Sequence, residues 1–305
     1  MEAVRTISYS ATASRCVEKK SGEHVNTTTL DQWIGNQTTV TAEISPVPAC
    51  QMAATLDLDT SVQVGDPLPP GWHWLYFREP AKTSALGPDG HAELGGFMPL
   101  LPLPRRMWAG GRIQCHRPLR LGDHAERRST ITSITPKEGR SGALCFVEVT
   151  HEITVAGTLC LTEIQSLVYR EAAPADRRLP TANAAPTDAQ FSKTWQPSSA
   201  LLFRYSALTF NSHRIHYDVD YCRDAEGYPD LVVHGPLIAT LLLDLFHHQF
   251  PDDLITDFRY RARMPLFHPH PFAVHGTRNG AEGYAWAADM GGGLAMDAEV
   301  NLKRR

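Results

Sequence analysis

Apolar positions alternate with polar ones through two long stretches of this chain and gather into helical blocks between them. In the first half, RIQCHRPL (112–119), AERRSTITSI (125–134), GALCFVEVTHEIT (142–154) and GTLCLTEIQSLVYR (157–170) are rich in β-formers or run with period two. Gly-containing turns at 121–123, 138–142 and 156–157 separate them, which predicts an antiparallel meander. Ahead of it, PACQMAATLDL (48–58) reads as a short apolar-faced helix, followed by a long Pro/Gly-rich loop that carries the strand-like WHWLYF (72–77). The second half keeps a similar order. SALLFRYSAL (199–208) reads as a strand and Leu231–Phe250 as the longest helix of the chain. LITDFRYRARMP (254–265), PFAVHGTRN (271–279), GYAWAADM (283–290) and LAMDAEVNLK (294–303) then read as four more strands. Gly291–Gly293 precedes no helix and is read as a hairpin turn rather than a phosphate loop.

Each half is thus one buried helix followed by an antiparallel sheet, the helix supplying the apolar filling that a lone sheet face lacks. That is an α+β chain of tandem (double) hot-dog architecture, each unit a curved antiparallel sheet wrapped around a central helix. The expected division is an N-terminal hot-dog over 29–170, an Ala/Pro-rich linker over 171–198 and a C-terminal hot-dog over 199–305. Residues 1–28 are rich in Ser, Thr and Ala, but Glu2, Glu18 and Glu23 dilute the pattern; they read as a disordered tail or a weak transit peptide.

Composition narrows the function classes. A net charge of −4 over 305 residues argues against nucleic acid as the main partner, while leaving room for a local basic pocket. No stretch approaches the roughly 18–20 apolar residues of a membrane span, so a soluble chain is expected. The six cysteines form no CxxC pair and no metal-like spacing, which points to reduced thiols in a cytoplasmic or mitochondrial protein. The pairs His247–His248 and His268–His270 lack carboxylates at useful spacing, so no metal site is expected.

The most informative segment is 205–236, YSALTFNSHRIHYDVDYCRDAEGYPDLVVHGP. It holds Asn211, His213, His216 and Asp218 within eight positions, and its His234-Gly235-Pro236 step opens the run LIATLLLDLF. A polar cluster ahead of a buried helix can aim acid–base groups at a helix N-terminus, whose unpaired N–H groups receive developing negative charge.

These residues carry a resemblance. LDQWIG (30–35), DPLPPGWHWLYF (66–77), LPRRMWAGGRI (103–113), HRPLRLGD (116–123), EIQSLVYRE (163–171), the core segment 203–237 and FRYRARMPLF (258–267) resemble the MaoC-like or FAS1-like two-domain hot-dog hydratases and dehydratases of acyl thioesters. Within them the chain looks most similar to the group holding mesaconyl-C4-CoA and itaconyl-CoA hydratases and the mitochondrial 3-hydroxyacyl-thioester dehydratase. The wider family carries an Asp and a His five positions apart in its catalytic loop. Here those positions are Asn211 and His216, so the histidine matches and the carboxylate does not, which suggests a variant mechanism because an amide cannot take a proton at neutral pH.

The resemblance implies a cofactor-independent hydro-lyase whose substrate is carried as a CoA or acyl-carrier-protein thioester. His216 is then the acid–base group, its unperturbed pKa near 6.5 leaving both protonation states accessible. Asn211 orients water or a substrate hydroxyl, and the N–H of Gly235 is the oxyanion donor. Asp218 reads as the N-cap of a short helix rather than a replacement carboxylate. Arg214 can pair with the free carboxylate of a C5 dicarboxylic acyl group, or serve a structural ion pair or a carrier phosphate. His213, His234, Tyr205, Trp74 and Trp108 complete the candidate substrate-binding set, the two indoles as pocket lining. Arg105, Arg106, Arg112, Arg117 and Arg120 are either coenzyme A phosphate contacts or solvated strand ends. Within the enzymes the alternative is a 3-hydroxyacyl-carrier-protein dehydratase of mitochondrial fatty-acid synthesis. Outside them it is a non-catalytic acyl-thioester-binding hot-dog protein. A homodimer is compatible with either, although tandem hot dogs already form the paired unit that single ones reach by dimerising.

Overall fold

A computed structural model describes residues 30–59, 61–139, 142–172 and 181–304; the expected N-terminal tail lies outside the described residues. Ten antiparallel strands form one sheet: β1 (Gln37–Glu43), β2 (Arg105–Cys115), β3 (His124–Gly139), β4 (Gly142–Val155), β5 (Thr158–Arg170), β6 (Phe191–Trp195), β7 (Asp253–Ala262), β8 (Phe272–Asn279), β9 (Glu282–Asp289) and β10 (Leu294–Arg304). Their spatial order is β1-β3-β4-β5-β2-β7-β10-β9-β8-β6. Read from each outer edge inward, both halves have the same topology, first strand, third, fourth, fifth, second. The repeat, invisible as sequence identity, is therefore a repeat of connection rules. The halves meet through β2 and β7, registered from Gly110↔Arg261 to Gln114↔Asp257.

Among the described residues four α-helices accompany the sheet: α1 (Pro46–Thr55), α2 (Ser199–Thr209), α3 (Val219–Asp224) and α4 (Gly235–Gln249). In α4 every residue from Leu237 to Phe246 is buried, the signature of a helix enclosed on all sides. It packs on β7, β8 and β9 as the filling of the second half of the sheet, while α1 packs against α2 across the two halves. One core cluster runs through both, from Ile44 and Met52 to Leu242 and Phe258. The expected tandem hot-dog stands.

Several local expectations change. SALLFRYSAL is the helix α2, not a strand. Its Leu201, Leu202, Tyr205 and Leu208 are buried at helical spacing, and the Ser198 hydroxyl caps the first turn by accepting from Leu201 N at 3.1 Å. WHWLYF is not a strand either. Gly71 adopts φ 82°, the Trp72 N–H donates to Pro69, and Trp72–Leu75 close a 3₁₀ turn in which Trp72, His73 and Leu75 are all buried, which no period-two pattern allows. Two outer strands escape the pattern because they are polar and short of buried residues: β1, and β6 inside the segment read as linker. The Gly291–Gly293 turn is a hairpin as read, with the Asp289 carboxylate accepting from the N–H groups of Gly291 and Gly293.

Candidate functional site

The polar loop after α2 is built from the backbone outward. Phe210 ends α2 in the left-handed region (φ 52°), and Asn211 N donates back to Ser206 O at 2.8 Å. The Asn211 side-chain oxygen then accepts from the His213 N–H at 3.0 Å, an Asx turn that commits this oxygen to shaping the loop. Residues Arg214–His216 form a 3₁₀ turn, and the Asp218 carboxylate caps α3 by accepting from Tyr221 N at 3.0 Å. The extended segment before α4 clips the loop in place. Val232 N donates to Ile215 O at 2.8 Å, and Val232 O accepts from His216 Nδ1 at 2.7 Å. A carbonyl only accepts, so Nδ1 carries the proton and Nε2 of neutral His216 carries the lone pair.

His216 belongs to a row of four imidazoles. Its ring stacks on His234 with centroids 3.6 Å apart, meets His213 edge-on at 5.5 Å, and His213 lies 4.1 Å from His91. Burial dominates their titration: it pushes His216 down to about 4 against the Val232 hydrogen bond, and lowers His91, His213 and His234 as well. All four are therefore neutral at pH 7. His234 Nε2 is hydrogen-bonded with the Ser206 hydroxyl at 2.8 Å, and its ring also meets Tyr205 edge-on at 4.9 Å.

Gly235 starts α4, where the first-turn N–H groups have no intrahelical acceptor. A Cβ there would stand 3.0 Å from the six-membered ring of Trp108, so the indole lies directly over the helix start. Trp108 is in turn edge-on to Trp74 at 5.2 Å and to Tyr260 at 5.2 Å. Around this point four buried polar atoms, Trp108 Nε1, Tyr205 Oη, Tyr260 Oη and His234 Nδ1, have no partner within the protein among the described residues. Four such atoms gathered around one helix start make it a candidate place for a polar ligand.

Part of the site comes from the first half and was not legible in the sequence. The loop Pro88–His91 lies on the polar loop. Asp89 O accepts from Arg214 N at 2.8 Å, Gly90 O accepts from the Ser212 hydroxyl at 2.5 Å, and Pro88 O accepts from Arg214 Nη1 at 3.0 Å. Gly90 has φ 89°, and a Cβ would fall 2.0 Å from Ser212 O; only glycine permits this approach. Asp89 Oδ2 accepts from His91 Nδ1 at 2.8 Å and Oδ1 from the His91 N–H at 3.0 Å. Burial works against the Asp89 charge, but the hydrogen bonds donated by the His91 ring and backbone N–H outweigh it and hold the carboxyl well below its usual range. Asp89, His91 and His213 each bring one atom within 4.8 Å of the others, the set that could gather a metal ion; His91 Nδ1 is already committed to Asp89. A second buried network sits beneath Trp74. Glu163 accepts from His73 Nε2 at 2.9 Å, Trp74 Nε1 at 2.8 Å and Gln165 Nε2 at 2.9 Å. Burial opposes its charge, yet these partners bring its pKa down to about 2. The only sequence signals were a Pro-Asp-Gly turn and two inward carboxamide or carboxylate positions in an alternating strand, neither of which names a partner some ninety or more positions away.

The arginines are mostly engaged. Arg214 donates from Nε and Nη2 to Asp218 Oδ2 at 3.0 and 2.8 Å and lies over the Tyr221 ring, so the structural ion pair is the arrangement observed. Arg105 pairs with Glu226 at 2.6 Å in a buried contact that ties β2 to the end of α3, Arg112 forks onto Asp257, and Arg120 donates to Gly65 O. Arg106 is the cation whose charge reaches His91 and His213.

The model of the hydroxyacyl-thioester dehydratase type 2 family matches residues 71–268, a span that includes the Trp74 turn, the Asp89 loop, the imidazole row and α4. The chain belongs to that family. It is 44% identical over 272 residues to a mesaconyl-C(4)-CoA hydratase of Chloroflexus aurantiacus, covering 88% of this chain and 96% of that one. It is 29% identical over 232 residues to the mitochondrial hydroxyacyl-thioester dehydratase type 2 of Schizosaccharomyces pombe, covering 68% and 77%. A MaoC-like dehydratase of Phytophthora capsici superposes over 90% of this chain and 99% of its own with a TM-score of 0.64; at 14% identity this likeness bears on the fold. The family and fold expected from the motifs are thus found.

Proposed function

We propose that the chain is a hydro-lyase that interconverts an α,β-unsaturated acyl thioester and its 3-hydroxyacyl thioester, acting on a short dicarboxylic acyl-CoA of the mesaconyl, itaconyl or citramalyl type. The observation that carries the chemistry is the fixed tautomer of His216. Its lone-pair nitrogen faces away from Val232 and its ring is stacked on the residue that precedes the start of α4. In hydration, the water oxygen bonds to the β-carbon while His216 Nε2 takes a water proton. The π electrons move onto the thioester oxygen, which the N–H groups at Gly235 receive, and a proton is delivered to the α-carbon as the enolate collapses. Dehydration reverses each step. Asn211 contributes by holding His213 in the loop through its side-chain oxygen.

The dicarboxylate reading is supported by the likeness to the mesaconyl-C(4)-CoA hydratase over nearly its whole length. Arg214 is neutralised by Asp218, so the cation better placed to attract a free carboxylate is Arg106. The test is a substrate panel of mesaconyl-, itaconyl-, crotonyl- and long-chain enoyl-CoA, followed by the absorbance of the conjugated thioester. At least tenfold higher kcat/KM for the dicarboxylates is expected. Preference for long plain chains would instead favour the carrier-protein dehydratase, and no turnover of any would leave a thioester-binding protein.

A further inference from the structure

We infer that Asp89 and His91, contributed by the first half, form the second acid–base arm of the catalytic centre and supply the carboxylate that the polar loop lacks at Asn211. The inference rests on the hydro-lyase reading and adds residues to it. Asn211 cannot take a proton, and its oxygen is spent on the His213 N–H. The Pro88–His91 loop places a different carboxylate against the same loop, locked there by three hydrogen bonds and by the glycine contact at Ser212.

The geometry of this pair is that of an oriented base. Asp89 holds the His91 ring by Nδ1–H and by the backbone N–H, so both the tautomer and the ring plane are set from one side. Nε2, on the opposite side of the ring, carries the lone pair, and the ring contacts run from His91 through His213 to His216. A proton accepted at His91 Nε2 creates an imidazolium whose charge faces an ionised carboxylate. A proton accepted at His216 faces only the Val232 carbonyl. A carboxylate-backed imidazole is the better place to hold a proton between its removal from water and its delivery to carbon. In the hydration direction His216 Nε2 takes the water proton as the C–O bond forms, the proton is held at His91 Nε2 by way of His213, and it returns along the same row to the α-carbon as the enolate collapses, so every imidazole starts and ends neutral. Atoms and charge balance, since one proton leaves oxygen and one arrives at carbon. The charged and titratable groups around His91 are Asp89 on its own loop, Arg106 on β2, and His213 and His216 on the polar loop; Tyr169 on β5 and Tyr221 on α3 lie near Asp89. Arg106 disfavours protonation of His91 and Asp89 favours it, so removal of Asp89 has a defined sign.

The test compares wild type, His91→Gln and Asp89→Asn with mesaconyl-CoA and crotonyl-CoA, recording kcat and KM from pH 5 to 9 together with the thermal midpoint. His91→Gln is expected to lower kcat by at least about a hundredfold with KM changed by less than threefold, the size typical of a lost general acid–base group. Asp89→Asn is expected to lower kcat by at least about tenfold and to move the acid limb of the kcat profile to lower pH, because the imidazolium loses its counter-charge. A kcat within threefold of wild type in His91→Gln, or an Asp89→Asn profile that superimposes on the wild-type profile, overturns the inference. If His91→Gln fails to fold, the Asp89→Asn profile decides alone. Inactive wild type would instead reject the hydro-lyase reading itself.

Discussion

Acidification should destabilise this protein well before its carboxylates titrate. His216 and His151 are buried and held down to about 4, against roughly 6.5 in an unfolded chain. Burial is the largest cause for each. The folded state therefore refuses protons that the unfolded chain binds, so the stability is full above pH 6.5 and is lost as pH falls from there towards 4. Each histidine accounts for about 3 kcal/mol over the whole window, and for about 2 kcal/mol by pH 5. The two together remove about 4 kcal/mol by pH 5, a large share of a typical folding free energy of about 5–15 kcal/mol. His91, His213 and His234 add losses of the same sign. Urea unfolding at half-unit steps from pH 7.5 to 4.5 should show stability falling by at least about 2.7 kcal/mol per pH unit near pH 5, two protons' worth. His216→Asn should reduce that slope by about one proton, 1.4 kcal/mol per unit. Stability constant within about 1 kcal/mol between pH 7.5 and 5 would refute the reasoning, because it would mean these imidazoles are hydrated or already charged in the folded protein.

Gly235→Ala pushes a methyl group to 3.0 Å from the Trp108 ring, so either the indole or the helix start must move. Steady-state kinetics should show kcat reduced about ten- to a hundredfold, with a stability cost of about 1–3 kcal/mol from overpacking. Glu163→Leu strands His73, the Trp74 indole N–H and Gln165 without their acceptor in a buried network. It should cost about 3–5 kcal/mol by chemical denaturation, far more than an exposed ion pair would. Arg214→Gln removes a half-exposed pair with Asp218; KM for mesaconyl-CoA should change less than threefold and stability by no more than about 1 kcal/mol. A tenfold rise in that KM would return Arg214 to the carboxylate role that its place in the sequence suggests.

The legible part of this protein was whatever a local pattern carries. Strands β3, β4, β5 and β7–β10 alternate visibly, and α4 announces itself by an unbroken apolar run after His-Gly-Pro. The misread SALLFRYSAL shows where such reasoning gives way. Its Phe and Tyr suggest a strand, while the buried Leu201, Leu202, Tyr205 and Leu208 follow a helical face that only the packed partner α1 makes decisive. In the site, His216, Asn211 and Gly235 could be found because they share one loop and one helix start. Asp89 and His91 could not, since their roles exist only after the first half is folded against the second, and Glu163 could not, since its partners His73 and Trp74 lie about ninety positions away in the first half. Asn211 is instructive in another way. The side chain expected to orient water has its oxygen turned into the backbone, a competition between local capping and chemistry that spacing alone cannot settle.

The most direct test of the central claim is incorporation of solvent deuterium at the α-carbon of a 3-hydroxyacyl-CoA product, with wild type compared against His216→Ala. The account predicts deuterated product from mesaconyl-CoA in D₂O with wild type, and loss of at least about a hundredfold in the rate of label uptake in the folded variant. Equal label uptake in both proteins would contradict it, for hydration would then proceed without His216 to take the water proton.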